Sequence, residues 1–323
     1  MHQRHHRYFE PESVKRKLFR AALASVAVLA ILLVLDHYGA LPDLSVEQDN
    51  TSPSGAAIPA RVVSLAPSIT ELVFALGADS ALVGVTRYCT FPPAAEALPE
   101  VGGFLDVNFE ALVDALPDLV ILLIEHDQVR KRLRQLKIPY LAVNHQSVAG
   151  ILESYTTVGR RIGAAAAADS LLGAHQEKIG RARALTEGLA RPTCLLSIGH
   201  SEKPGVIEEI SAAGDEEYFT TLIEISGGTN VVTARGIKFP LYSTEGIGAL
   251  DPDIILDLMD SASRDIDTTF VQNQWRSMTT LKAVRENRVY VLQGGHLFIP
   301  GPRFVYIIDD LIVALHPELE WDG

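Results

Sequence analysis

The sequence predicts an α/β protein built from two similar, Rossmann-like lobes of mainly parallel sheet, joined by a helical stretch. Short β-branched or Leu-rich runs alternate with helical patterns along the chain. A helical stretch at 147–189 contains no candidate strand, and the segments on its two sides resemble each other. Two similar lobes joined in this way enclose a cleft, which is where we expect a ligand.

Buried apolar runs are the candidate strands of these lobes. They lie at 62–66, 82–86, 118–124, 139–143, 193–198, 253–258 and 288–292. A helix follows the first run. Because Ser68 and Glu71 have capping-box spacing, we expect this helix to open at Ser68 and to end at Gly77.

An internal repeat links the two halves of the chain. Residues 110–122 read EALVDALPDLVIL and residues 245–257 read EGIGALDPDIILD, so Glu, Pro and Asp recur at an offset of 135 residues. Each copy predicts a polar helix cap, Asn108 or Thr244, and then a short helix, a Pro-Asp stop and a buried strand. We therefore expect the same helix–strand unit in both lobes.

Composition and charge exclude several classes of protein. The chain has 323 residues, 47% of them apolar and 21% charged, which is typical of a globular protein of about two domains. Its net charge of −12 divides into a +4 tail at 1–20 and a −16 body at 21–323. An acidic body without a basic stripe argues against nucleic-acid binding.

The N-terminal region contains a predicted basic cytoplasmic tail at 1–20 and, overlapping its end, a candidate transmembrane segment or signal peptide. Residues 18–35 form an apolar run interrupted by Arg20, at the lower length limit for a bilayer span. The positive tail predicts a body outside the cytoplasm. We expect an uncleaved transmembrane anchor, and the alternative is a signal peptide cleaved near 54–56. Residues 36–60 have the Pro, Ser and Gly content of a flexible linker.

The chain shows no motif of a common enzyme class. It lacks a P-loop, a G-x-G-x-x-G and an H-E-x-x-H motif. In GHSEKPG at 199–205, Lys203 stands where a nucleophile elbow needs Gly. We therefore expect a binding protein and not an enzyme.

Ligands of open α/β sheets bind beyond the carboxyl ends of the strands, so the residues that follow each strand are candidate ligand contacts. In this chain they are Tyr88, Phe104, Glu125, His126, His200, His296, Phe298 and Arg303. The planar guanidinium of Arg303 suits a ligand carboxylate. The three histidines in this set would bind a metal ion directly if they converged.

An ordered set of motifs resembles one known family, the helical-backbone (class III) periplasmic substrate-binding proteins of ABC importers. Members of this family carry vitamin B12, ferric siderophores or haem. The similar segments are RVVSLAPSITELVFALG, LVGVTRYCTFPP, VGGFLDVNFEALVDALPDLVIL, ISGGTNVV, TEGIGALDPDIIL and LKAVRENRVYVL. The resemblance runs from Arg61 to Pro317, and the order of the motifs makes it specific.

The resemblance implies an N-terminal α/β lobe at 61–163, a bridging helix at 164–191 and a C-terminal α/β lobe at 192–323. It also implies that one glutamate per lobe, Glu110 and Glu245, docks on arginines of the permease. The repeat agrees, because it places both carboxylates at the start of matching helices, as a two-fold partner requires. A purely structural reason stays open, since the helix dipole favours Glu in a first turn.

For function, the resemblance implies the substrate-binding component of an ABC importer, with a permease dimer and its ATPase as partners and no permanent cofactor. The expected cargo is an iron chelate (siderophore or haem) or a cobalamin-like corrinoid. Tyr88 and Phe104 match aromatic residues that pack on such cargo, and His296, near Phe298, replaces a large aromatic of the vitamin B12 carriers. The expected location is the periplasmic side of the inner membrane.

Two alternative functions stay open. One is a direct zinc or manganese carrier of the same superfamily, although the chain lacks a His-rich acidic loop. The other is a membrane-tethered sensor of the same ligand, although residues 1–20 contain no recognisable output module.

Overall fold

The computed structural model describes residues 57–200, 207–214, 217–234, 236–260 and 267–323. The predicted cytoplasmic tail and the apolar run at 18–35 lie outside the described residues. Among the helices of the described part, none combines the length and the apolar character needed to cross a membrane.

The first lobe is built on a sheet of four parallel strands in the order β2-β1-β3-β4. The strands are β1 (Val62–Ser64), β2 (Leu82–Val85), β3 (Leu119–Leu123) and β4 (Tyr140–Val143). Its helices are α1 (Pro67–Ala75), α2 (Phe109–Asp114), α3 (Asp127–Leu136) and α4 (Val148–Arg161). Every residue of β3 is buried, as expected for an inner strand covered on both faces.

The second lobe is built on a mixed sheet in the order β10-β9-β5-β6-β8, with β7 paired to β5. The strands are β5 (Thr193–His200), β6 (Glu209–Ala212), β7 (Thr229–Asn230), β8 (Leu241–Ser243), β9 (Ile254–Met259) and β10 (Val289–Gln293). Strands β5, β7, β9 and β10 are parallel, whereas β6 and β8 add antiparallel pairs at one edge.

Helices of the second half surround this sheet and join it to the first. They are α5 (Ala165–Thr186), α6 (Glu217–Ile225), α7 (Thr244–Leu250), α8 (Thr268–Arg276), α9 (Lys282–Arg285) and α10 (Phe304–Leu315). The stretch at 147–189 is therefore two helices, α4 and α5, which separate at Gly163 with its φ of 79°.

One apolar core connects the two sheets. Ile121 of β3 and Leu196 of β5 belong to the same buried cluster. At its centre, the hydroxyl of Tyr155 in α4 lies 3.0 Å from Nδ1 of His175 in α5, and the ring of Phe304 in α10 packs edge-on against that imidazole. The predicted two-lobe α/β architecture with a helical connection is confirmed.

The repeat corresponds to a structural unit in which an aspartate makes similar hydrogen bonds in both lobes. Asp118 follows α2, and its Oδ2 accepts hydrogen bonds from the backbone N–H groups of Ala60 and Arg61, just before β1. Asp253 follows α7, and its Oδ2 accepts from the N–H and the hydroxyl of Thr193, the first residue of β5. Each Pro-Asp stop therefore fixes the start of the neighbouring parallel strand.

Two of the predicted helix starts require correction. Asn108 caps α2 as predicted, accepting from the N–H groups of Glu110 and Ala111. Helix α7, however, begins at Thr244 and is capped by Ser243, whose hydroxyl accepts from the N–H of Gly246 at 3.3 Å.

The prediction of a capping box at the start of α1 is also wrong. The helix begins at Pro67 and has no side-chain cap. Proline fits the first helical turn because it lacks the N–H that would need a partner there, so the helix starts one residue before Ser68. Ser68 and Glu71 consequently lie within the helical segment, and their buried side chains bond to His145 and Arg303.

We predict that Asp253→Ala lowers the free energy of unfolding by about 2 kcal/mol at pH 7, because three charge-assisted hydrogen bonds are lost. Partial burial alone would raise the pKa of Asp253, but hydrogen bonds from Lys282 and Thr193 outweigh it and lower the pKa to about 2. This stabilisation is present above the ordinary pKa of Asp and is lost as the pH falls through about 2.

Urea unfolding followed by circular dichroism between pH 7 and pH 2.5 measures this difference. The difference in free energy of unfolding between wild type and Asp253→Ala should become smaller as the pH falls. Asp114→Ala, at an exposed position of α2, is the control. A gap that stays constant over this range would contradict the assignment.

Candidate functional site

The carboxyl ends of β1, β2 and β3 lie at one edge of the first sheet, and the structure brings two predicted contact residues together there. The rings of Phe104 and His126 meet edge-on, with centroids 4.4 Å apart. Tyr88, at the same edge, is 44% exposed, and the Arg87 guanidinium lies 5.9 Å from its ring centroid. The first lobe therefore presents an aromatic border at the position predicted for the ligand.

His126 is buried with its polar atoms unsatisfied. It follows β3 directly and caps α3 without a side-chain hydrogen bond. The residue is only 4% exposed, yet neither Nδ1 nor Nε2 has a hydrogen-bond partner. Burial, reinforced by the positive charge of Arg130, lowers the pKa of His126 to about 4. The imidazole is therefore neutral at pH 7 and offers one donor and one acceptor.

Glu125, the neighbour of His126, carries a buried carboxylate oxygen without a partner. Its Oε2 has no hydrogen bond, although Gln146 bonds to the same side chain. Burial raises the pKa of Glu125, and the positive charges of Lys238 and Arg130 oppose that rise. Lys238 belongs to the second lobe, so Glu125 lies where the two lobes face each other.

The predicted contacts from the second lobe make other interactions. A 3₁₀ turn at Gly295–Phe298 holds both His296 and Phe298. His296 Nε2 is 3.9 Å from Asp310 Oδ2, and its ring packs on Tyr306, whereas Phe298 packs against the central core. His200 ends β5, and its side chain lies outside the described part of the structure.

Arg303 bonds to a buried carboxylate of the other lobe. Its Nε donates to Glu71 Oε2 at 2.8 Å, and its Nη2 donates to Glu71 Oε1. The Glu71 side chain is 3% exposed and that of Arg303 is 15% exposed. Burial raises the pKa of Glu71, and the guanidinium opposes this by bonding to the ionised form. The sequence predicts Arg303 as a partner of ligand carboxylates, but here Glu71 takes that place.

The surroundings of this ion pair bring the two lobes into direct backbone contact. The Arg303 guanidinium lies 3.9 Å from the ring centroid of Phe91, an exposed residue after β2. A methyl group at Gly301 would approach the Cα of Ser68 to 3.0 Å, so a larger residue does not fit there. Ser68 also contacts buried His145, whose Nδ1 lies 2.8 Å from the Ser68 hydroxyl, at hydrogen-bond distance.

Sequence reasoning missed Glu71, Phe91 and Lys238 as residues of the lobe junction. Glu71 had a usable signal, because it is a single carboxylate within the apolar run SITELVFAL and a buried carboxylate needs a cationic partner. Phe91 and Lys238 lie in irregular segments, where no periodicity marks a side chain that faces another lobe.

The two predicted docking glutamates occupy equivalent positions. Glu110 lies in the first turn of α2 and Glu245 in the first turn of α7, and both are exposed. The helices that carry them precede β3 and β9, which are equivalent strands of the two sheets and begin 135 residues apart. The structure thus presents one free carboxylate from each lobe.

Within the described residues, no group of three or more His, Cys, Asp or Glu side chains is arranged to hold a metal ion. A cavity of about 590 Å³ lies elsewhere, at the C-terminal ends of α1 and α4, lined by residues that include Leu76 and Ile162. It is at the opposite edge of the first sheet from His126 and does not contribute to the site.

Comparison with known proteins agrees with the two-lobe fold. The family described as periplasmic binding protein matches residues 62–294, which include strands of both sheets. A vitamin B12-binding protein of Vibrio cholerae has a similar crystal structure, with a TM-score of 0.68 and 21% identity over 80% of this chain and 97% of that one. The likeness confirms the predicted fold, that of the class III periplasmic binding proteins.

Curated relatives share more of the sequence. An uncharacterized ABC transporter substrate-binding lipoprotein of Bacillus subtilis is 25% identical over 80% of this chain and 81% of its own. A high-affinity heme uptake system protein of Staphylococcus aureus is 27% identical over 77% of this chain and 83% of its own. These relatives are binding proteins and not enzymes, as predicted for this chain.

We predict that Arg303→Met lowers the free energy of unfolding by about 3 kcal/mol, because it leaves the Glu71 carboxylate buried and unpaired. The double variant Glu71→Leu/Arg303→Met should recover most of this loss, since apolar groups of similar volume replace both charges. Chemical unfolding of the three proteins measures the difference.

The matched control is Arg87→Met, which breaks the exposed pair with Asp106 and should cost less than about 1 kcal/mol. If Arg303→Met and Arg87→Met cost the same, the ion pair does not hold the lobes together.

Proposed function

This chain belongs to the periplasmic binding protein family, and on that premise we propose that it is the substrate-binding component of an ABC importer. Its cargo is an iron chelate or a cobalamin-like corrinoid, held between the lobes and delivered to a membrane permease with its ATPase. The observation that carries the proposal is a set of buried polar atoms without a hydrogen-bond partner, Oε2 of Glu125 and both ring nitrogens of His126, at the carboxyl edge of the first sheet. Lys238 of the second lobe lies close enough for its charge to act on Glu125.

The geometry supports this function for a physical reason. Buried polar atoms in folded proteins are nearly always hydrogen-bonded, so orphaned ones at a lobe junction require a partner from outside the chain. Aromatic rings border the same place, with Phe104 against His126 and Tyr88 exposed beside them. Flat or bulky metal chelates bind to such surfaces through ring packing and a few directed hydrogen bonds.

Delivery requires a docking surface, which we assign to Glu110 and Glu245. Both carboxylates are exposed and start matching helices, α2 and α7, so each lobe offers the same charge in the same local structure. A permease dimer with one cationic site per subunit is complementary to this pair. We place the body on the extracytoplasmic side of the membrane, anchored by residues 18–35.

We predict that Glu110→Ala/Glu245→Ala abolishes uptake while leaving affinity for the cargo unchanged, because the two residues contact the permease and not the ligand. Uptake of labelled cargo in cells that express the variant, together with calorimetric titration of the purified protein, measures both properties.

The matched control is Glu153→Ala/Glu286→Ala, which removes one exposed carboxylate from each lobe outside the docking helices. Normal uptake by the Glu110/Glu245 variant would show that the docking assignment is wrong. Failure of the wild-type protein to bind any iron chelate or corrinoid saturably would contradict the proposed function itself.

A further inference from the structure

The polar groups of the cleft that have no hydrogen-bond partner within the chain determine which ligand groups can bind there. The unsatisfied atoms of the Glu125–His126 pair are one carboxylate oxygen and both imidazole nitrogens. The carboxylate oxygen accepts hydrogen bonds, and the neutral imidazole accepts one and donates one. A ligand that satisfies them must therefore bring N–H or O–H donors as well as an acceptor.

The cations that the structure describes around the strand ends already face carboxylates of the chain. The pairs are Arg303 with Glu71, Arg130 with Asp127, Arg87 with Asp106, and Lys238 near Glu125. Arg130 bonds to Asp127 through Nη2 alone, and its buried Nε has no hydrogen-bond partner. Its positive charge acts on Glu125, so a ligand carboxylate bound to this Nε would lie near the Glu125 carboxylate and be repelled by it. At Arg303 a ligand carboxylate would have to displace the partner. For Arg303 the displaced partner is a buried carboxylate held by two hydrogen bonds, which makes the exchange unfavourable.

The short segments outside the described residues do not change this balance. Between residues 57 and 323 they carry three cations and four carboxylates: Lys203, Arg235 and Arg264 against Glu202, Asp215, Glu216 and Asp265. They add no excess of positive charge to a body whose net charge is −16. The electrostatic potential of the whole protein therefore disfavours an anionic ligand.

We propose that the cleft selects an uncharged metal complex whose periphery donates amide N–H groups, and that it discriminates against complexes that carry carboxylates. This inference rests on the proposed function and narrows its cargo. Two sources supply such chemistry, a corrinoid with its primary amide side chains and a ferric hydroxamate peptide with its backbone amides. Haem, with two propionates, and ferric triscatecholates, with three negative charges, belong to the disfavoured class.

The binding geometry follows from the two side chains. An amide N–H of the ligand donates to Glu125 Oε2, and an amide carbonyl accepts from the protonated nitrogen of His126. Primary amides provide a donor and an acceptor on one group, which matches the adjacent carboxylate and imidazole. A haem propionate provides acceptors alone, so it would leave Glu125 without a donor and add a second negative charge beside it.

Titration calorimetry of the wild-type protein against four probes tests the selection: cyanocobalamin, ferrichrome, haemin and ferric enterobactin. We expect cyanocobalamin or ferrichrome to bind at least tenfold more tightly than haemin and ferric enterobactin, and the tighter of these two identifies the source. Tighter binding of haemin or ferric enterobactin would overturn the inference while the proposed function stands. Binding of none of the four would overturn both.

Variants of the pair separate a ligand contact from a structural residue. Glu125→Ala should weaken binding of the preferred probe about tenfold or more, because a hydrogen bond to a charged acceptor is lost. It should also raise the Tm of the free protein, because the variant no longer buries a carboxylate oxygen without a hydrogen-bond partner. His126→Phe keeps the ring packing on Phe104, removes both nitrogens and should weaken binding in the same way.

Glu153→Ala, an exposed carboxylate of the same lobe, is the control and should change neither property. A lowered Tm with unchanged affinity in Glu125→Ala would show that the carboxylate is structural and would overturn the inference. Unchanged affinity in His126→Phe would overturn it as well.

Discussion

The buried ion pair between Glu71 and Arg303 is the contact on which the arrangement of the lobes depends. Glu71 lies on the first helix after β1, and Arg303 immediately precedes α10, 232 residues later in the chain. Removing either partner alone leaves a charge in the core, so the lobes cannot separate at this point without a large cost in free energy. Gly301 packs against the backbone of Ser68 beside the pair, which keeps the two chain segments in contact.

This constraint also decides what the cleft offers to a ligand. Arg303 is the residue best suited to a carboxylate, but its hydrogen bonds go to Glu71, and its planar face covers Phe91. At the carboxyl edge of the first sheet, the buried polar atoms without a hydrogen-bond partner are Oε2 of Glu125, both ring nitrogens of His126 and Nε of Arg130. The net negative charge of the body supports our proposal of an uncharged cargo. The exposed carboxylates of Glu110 and Glu245, to which we assign docking in our proposal, are separate from these residues.

Much of the fold follows from local sequence pattern, whereas the junction between the lobes does not. The buried runs predicted β1 to β5, β9 and β10, and the repeat predicted the equivalent α2–β3 and α7–β9 units, because burial and capping act over a few residues. The short strands β6, β7 and β8 were not predicted, since two to four residues carry too little pattern. The pattern failed at α1, where Ser68 and Glu71 have the spacing of a capping box but bond to His145 and Arg303 instead. Which residues bond across many positions of the chain depends on how the lobes pack, and a local sequence pattern carries no information about that packing.

A crystal structure of the protein loaded with its preferred metal complex tests this account most directly. The account predicts that Arg303 remains bonded to both carboxylate oxygens of Glu71, and that ligand N–H and C=O groups contact Glu125 and His126. A loaded structure in which Arg303 has left Glu71 and pairs with a ligand carboxylate would contradict it.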